Sequence, residues 1–418
     1  MNCKLLLTSA LICSTVAAAA QTANKAYAIT GDGNQDFMWM NIRQVDLGTG
    51  QVGKTIFERG KTSFILTDVN TKISTTESTN DGSTFQSREY PTGSLVAAAA
   101  YDNRNNKLFF TPMRVGELRW VDLNIKNETP KFYTTTSPAL NFGASTDEAN
   151  HITRMVIAAD GNGYAITNDG NHFIQFTTGK KPVITDLGNL IDDEKNNGIS
   201  IHNKCTSWGG DMLADAYGKL YVISANRHVF VIDVKTRIAT HTGTISGLPG
   251  NYTTNAAAVD ADGDMVVNSA NAFEGYFKVK LADLSATVIP GSDKKYNSSD
   301  LANANFLFQK EADAARKYSV TTGSLPQNTF SNSDKRIFPN PVISSTFAVL
   351  FDGYKAGTYS ITLSDLSGRV LQTQKVSIAK GTQAENVNLL SKPANGMYMV
   401  KVYDATKQIV FTEKVLIQ

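Results

Sequence analysis

The chain has 418 residues, and 40 Lys+Arg against 38 Asp+Glu leave a formal charge of +2, with charged residues at 19%. So even a balance gives no field able to gather nucleic acid or an anionic membrane surface. Hydrophobic residues at 41% suffice for a sizeable core, and the length accommodates roughly two to three domains.

Residues 1–20 read as a secretory signal. Met1 to Lys4 carry one positive charge, and the apolar run from Leu5 ends in four alanines, Ala17 to Ala20, before Gln21. Cleavage is predicted after Ala20. The run of roughly 16 residues is shorter than a membrane-spanning helix needs. Ile12 stands before Cys13, where lipid attachment needs a small residue. Cys3 and Cys13 would leave with the signal, so Cys205 would remain alone and no intramolecular disulfide could form.

From residue 26 to 310, short apolar runs alternate with Gly, Asn and Asp clusters, the signature of an all-β domain. Four segments align with one another: Leu95 to Tyr133, His151 to Leu190, Gly210 to Gly250 and Thr253 to Gly291. Each opens on a strand of small apolar residues and turns through a cluster such as Asp102-Asn103-Arg104-Asn105 or Asp260-Ala261-Asp262-Gly263. Second strands follow, for example Lys107 to Phe110 and Lys219 to Val222. The third strands end in Asp122 or Asp233, whose short acceptor side chains suit a tight turn. Four strands in a unit of roughly 40 to 58 residues is the content of a propeller blade. Ala26 to Phe57 supplies only strands two to four of such a unit, and the missing first strand is predicted within Asp300 to Phe308, so that both ends share one blade. The repeats therefore predict five blades, or six if residues 59–94, which do not align, supply another.

These strand-turn units resemble the YVTN/PQQ-like and WD40-like propellers, a resemblance that speaks to architecture. Within 59–94, Ser78 to Phe85 resembles a degenerate Asp-box, the hairpin turn of sialidase-type propellers.

Residues 311–336 are polar and read as a linker. Residues 337–418 then alternate apolar and polar residues, as at Tyr359 to Leu363 and Met397 to Val402, which gives each strand one face to bury and predicts a small Ig-like antiparallel β-sandwich. Its motifs are the Pro339-Asn340-Pro341 entry, the hairpin from Asp365 through Gly368 to Arg369, the strand entry at Gly396 and Tyr398, and the Lys414-Val415 ending. In that order and spacing they resemble the type A sorting domain of Bacteroidetes type IX secretion, over Arg336 to Gln418. The resemblance implies passage through the periplasm, recognition of the folded tail by the outer-membrane secretion machinery, and a destination outside the cell or on its surface.

The chemistry of the body is sparse. Asp260, Asp262 and Asp264 place oxygens at alternate positions, as calcium loops do, but no downstream Glu completes an EF-hand pattern, so a connecting turn is the simpler reading. The five histidines lack zinc-type spacing, and no cofactor motif is found. The loop His202 to Gly210 combines His202, Cys205 and Trp208, and is read either as a ligand loop or as packing between blades. Two functions stay open: a non-catalytic domain that binds an extracellular protein or glycan, and a propeller hydrolase or lyase acting on polysaccharide or peptide. Three or more titratable side chains with shifted pKa values at the channel mouth would favour the enzyme.

Overall fold

The computed structural model describes residues 24–33, 35–77, 87–124, 129–143, 146–314, 337–340, 342, 345–351, 354–365, 369–379, 383–389, 393–394 and 396–417. They fall into two compact units divided at Lys317. No described helix is long and apolar enough to cross a membrane. The signal, the Asp-box, Pro341, Gly368 and residues 315–336 lie outside the described residues.

In the first unit, β1 (Lys25–Thr30), β2 (Asn41–Asp46) and β3 (Gln51–Phe57) form an antiparallel meander. A hairpin follows, β4 (Phe64–Asp68) and β5 (Ser74–Glu77), and then a second meander, β6 (Val96–Asp102), β7 (Lys107–Pro112), β8 (Glu117–Asp122) and β9 (Lys131–Thr136). The third comprises β10 (Ile152–Ile157), β11 (Gly163–Thr167), β12 (Phe173–Phe176) and β13 (Ile184–Asp186). After the two-residue β14 (Ile191–Asp192) comes the fourth, β15 (Asp211–Ala214), β16 (Lys219–Ile223), β17 (His228–Asp233) and β18 (Ile238–Thr244). The fifth is β19 (Ala256–Val259), β20 (Met265–Asn268), β21 (Phe277–Lys280) and β22 (Ser285–Val288). A last strand, β23 (Ser298–Ala302), returns to pair antiparallel with β1, giving the order β23-β1-β2-β3.

This is a propeller with five blades among the described residues. The innermost strands β23, β6, β10, β15 and β19 touch in cyclic order. Five apolar clusters fill the five gaps between blades: Ile42 and Phe57 against Leu108 and Phe110; Phe109 and Trp120 against Met155 and Ile174; Ile166 and Phe173 against Met212 and Phe230; Ile223 and Val229 against Met265 and Phe277; and Val266 and Tyr276 against Val45 and Leu301. Alanine-rich inner strands, Ala97 to Ala100 and Ala256 to Ala258, suit an axis where strands converge and large side chains would collide. The recurring turn aspartates act as read: Asp102, Asp160, Asp215 and Asp260 each accept a backbone N–H two residues on, at 3.1, 3.0, 2.8 and 2.8 Å. Asp233 likewise accepts from Lys235 and Thr236, both at 3.0 Å.

Two expectations shift. The closing strand is Ser298–Ala302, earlier than the Asp300 to Phe308 segment, because Ser298, Ser299 and Asp300 are polar residues that nonetheless lie buried at the axis. Beyond Ala302 the chain leaves the sheet, and Leu307 bonds Ala214 and Ala216 instead. The described residues of the 59–94 segment, 59–77 and 87–94, form no sixth blade: β4 lies parallel against β9, the outer strand of the second blade, and widens that sheet to six strands. The chain then turns helical over 309–314, running into the stretch 311–336 read as linker.

The second unit is a sandwich. One sheet has the order β24 (Ile337–Phe338), β25 (Thr346–Phe351), β28 (Gln383–Asn388). The other has β27 (Val370–Ile378), β26 (Gly357–Asp365), β29 (Gly396–Tyr403), β30 (Ile409–Ile417). Phe347, Val349 and Phe351 of the first meet Ile361, Leu363, Val400, Val402, Val415 and Ile417 of the second in one core, as two packed amphipathic sheets require.

Candidate functional site

Asp260, Asp262 and Asp264 gather around an ammonium. Lys278 Nζ lies 2.6, 3.6 and 3.5 Å from their carboxylates, and Asp260 Oδ1 also takes the N–H groups of Asp262 and Asp264 at 2.8 and 2.9 Å. The three carboxylates surround a lysine on β21, and Asp260 alone also holds the turn. Among the described residues no group of three or more His, Cys, Asp or Glu side chains is arranged so that it could hold a metal ion.

The His202–Trp208 loop is held by its own bonds. Asn203 caps the single helical turn Lys204–Ser207 by accepting from Cys205 and Thr206 N–H at 2.8 and 3.2 Å. Trp208 Nε1 donates to the His202 carbonyl at 3.0 Å, and Lys204 lies 4.9 Å over the indole while pairing with Glu148 at 2.9 Å. His202 Nδ1 meets the Asp169 carbonyl at 2.5 Å. Cys205 is exposed on this turn. His202 thus ties the loop to the third blade through Asp169, while the Trp208 indole nitrogen bonds back within the loop.

Strands alternate in direction, so second-to-third-strand turns emerge on the same face as the connections to the next blade. On that face two adjoining clefts lie over the second blade. One, of about 230 Å³, lies between the Met113–Gly116 turn and the connection through Asn141, Phe142 and His151. Its wall includes the Thr111 hydroxyl, which is buried without a protein partner. The other, of about 830 Å³, shares Arg114, Val115, Leu140 and Asn141 and adds Arg88, Ser94 and Ser137. Arg88 pairs with Glu117, whose carboxylate also binds Arg119 at 2.7 Å and the Thr134 hydroxyl at 2.7 Å. The lining therefore carries Arg88, Arg114 and His151, and the one acid, Glu117, is already bound. Guanidinium, hydroxyl and amide groups at an open rim can recognise carboxylate- or hydroxyl-rich ligands.

Three fully buried arginines escaped the sequence reading. Arg43, Arg119 and Arg154 stand in mid-strand and donate to loop carbonyls: Arg43 to Gly31, Arg119 to Tyr90 and Pro91, and Arg154 to Asn168 and Ser207. Burial pulls the Arg154 guanidinium down to about 10, which leaves it charged at neutral pH. On the axis, Asp211 and Asp300 lie wholly buried side by side, and burial holds both carboxyls well above the usual range. This pair is sealed, whereas the constellation that would favour an enzyme needs three or more such groups at an open mouth.

In the second unit the motif residues are clasps. Asn340 Oδ1 accepts from Leu416 N–H at 3.0 Å, and its Nδ2 donates to the Lys414 carbonyl at 2.9 Å, which ties the entry to the final strand. Pro339 precedes it at the end of β24. Asp365 takes Arg369 N–H at 3.0 Å and Nε at 3.1 Å, closing the β26–β27 hairpin. Tyr398 donates to the Ala394 carbonyl at 2.7 Å, beside the strand entry at Gly396.

Residues 336–418 match the model of the secretion system C-terminal sorting domain family. No curated protein matches the chain. Solved structures similar to it include PorZ, a surface component of the type-IX secretion system of Porphyromonas gingivalis, at 15% identity over 94% of this chain and 51% of that one, with a TM-score of 0.31. The chain thus spans about half the length of PorZ. Others are virginiamycin B lyase from Staphylococcus aureus, at 11% identity over 80% and 87% with a TM-score of 0.31, and glutaminyl cyclase from Myxococcus xanthus, at 12% over 70% and 91% with a TM-score of 0.30.

Proposed function

We propose that this chain is a cargo of type IX secretion whose propeller binds an extracellular protein or glycan without catalysis. It enters the periplasm on the 1–20 signal, its tail is read at the outer membrane, and it reaches the cell surface or the medium. The observation that carries the export reading is the sorting-domain match at 336–418, on a unit with its own core. The clefts around Arg114 and Leu140 support ligand binding on the loop face, and the sealed state of the axial acids favours binding over hydrolysis or lysis.

Removal of residues 336–418 should trap the protein in the periplasm, as cell fractionation would detect; appearance of the truncated protein in the medium would refute the export reading. In a glycan and protein screen of residues 24–314, any ligand found should lose at least tenfold in affinity on Arg114→Ala, the scale of one guanidinium contact.

A further inference from the structure

The five inner strands converge on two carboxyls, and these two are bonded differently. Asp211, at the start of β15, accepts three backbone N–H groups: Met212 at 2.7 Å, Ala257 of β19 at 2.6 Å and Leu301 of β23 at 3.2 Å. Asp300, on β23, accepts one, from Ala99 of β6 at 2.9 Å. Its Oδ1 is buried beside the Asp211 carboxyl and receives no donor. Together the pair joins the inner strands of four blades, including the strand that closes the ring.

Among the described residues, the surrounding elements offer no cation to neutralise two negative charges. β19 and β20 carry no charged residue. Arg154 of β10 is engaged by the carbonyls of Asn168 and Ser207. Asp102 of β6 is paired with Arg104, and Lys219 of β16 with Asp233. Lys25 sits half-buried at the first position of β1, away from Asp300 in register, which pairs with Ile29. Two bare carboxylates in such a site would repel strongly, and burial would multiply the repulsion.

We propose that Asp211 and Asp300 hold one proton between them at neutral pH, carried on Asp300 and donated to the ionised Asp211, and that this shared proton latches the ring closed. Asp211 is the ionised partner because three N–H dipoles already face its oxygens. Asp300 is the protonated partner because its Oδ1 lacks any donor, and an O–H there turns repulsion into a hydrogen bond. Both acids are raised by burial and Asp300 further by Asp211. A carboxyl raised in the folded state binds its proton more tightly there than in the unfolded chain. Its stabilising contribution is full below the unfolded carboxylate range, near pH 4, and declines as pH rises toward the folded value.

The test uses the full chain, with thermal unfolding followed from about pH 5 to about pH 9. Per proton, the folding constant of the wild type should fall by up to about tenfold per pH unit across this range. Asp300→Asn keeps a donor toward Asp211 and an acceptor for Ala99, so it should flatten that dependence and be the more stable protein at alkaline pH. In either amide orientation Asp211→Asn would set its NH₂ against at least one of the three N–H donors, Met212 on one oxygen or Ala257 and Leu301 on the other, and should melt well below the wild type at every pH. Infrared difference spectra of folded wild type against Asp300→Asn should show one protonated carboxyl at neutral pH, lost in the variant. A dependence as steep in Asp300→Asn as in the wild type, or the absence of that carboxyl band, would overturn the proposal. So would a rise in melting temperature on adding calcium that Asp300→Asn abolishes, since a cation would then hold the pair.

Discussion

At the scale of single residues, chemistry usually read as surface has moved inside. Arg154 is the clearest case, because no carboxylate pairs with it and its bonds to the Thr167, Asn168 and Ser207 carbonyls tie two loops to β10. Arg154→Met fills the same volume but strips those carbonyls of their donor. It should cost about 3 kcal/mol or more, measured by urea unfolding. Neither this arginine nor Asp211 and Asp300 could be found from composition or spacing: a charged residue within a strand pattern ordinarily marks a solvated face. A weak signal did exist in the parallel placement of Arg43 and Arg119, each followed three residues later by the turn aspartate, Asp46 or Asp122.

At the scale of elements, local patterns carried most of what was read. The Asp-rich turns and the strand alternation set the meanders, because both depend on residues two to four apart. The β4–β5 hairpin had no such signature, since parallel pairing along an outer edge imposes no repeat. Its two strands differ in worth. Phe64 packs edge-on against Phe57 and Tyr90, with ring centres 6.2 and 5.1 Å away. Phe64→Ala should cost about 3 to 4 kcal/mol. Replacing Ser74 to Glu77 with Gly and Ser should leave the melting temperature within about 2 °C, since this edge strand adds no side chain to the apolar core.

At the scale of the whole molecule, two units with separate cores and a ring closed by the last propeller strand make a further demand. Residues 24–314 expressed alone should melt in one cooperative transition with a β-type circular dichroism spectrum. Ending the fragment before Ser298 should abolish that transition, because β1 and β6 then lose the strand on which both pack.

The amino-acid sequence by itself determined the all-β class, the number of blades carried by the repeats, the shared closing blade and the sorting module. All of these follow from short-range periodicity or from motifs in fixed order. Only the tertiary structure decided the register of the closing strand, the place of β4 and β5, and the meeting of Asp211 with Asp300. Those depend on which strands converge at the axis, and residues 89 positions apart leave no local trace of the desolvation that joins them.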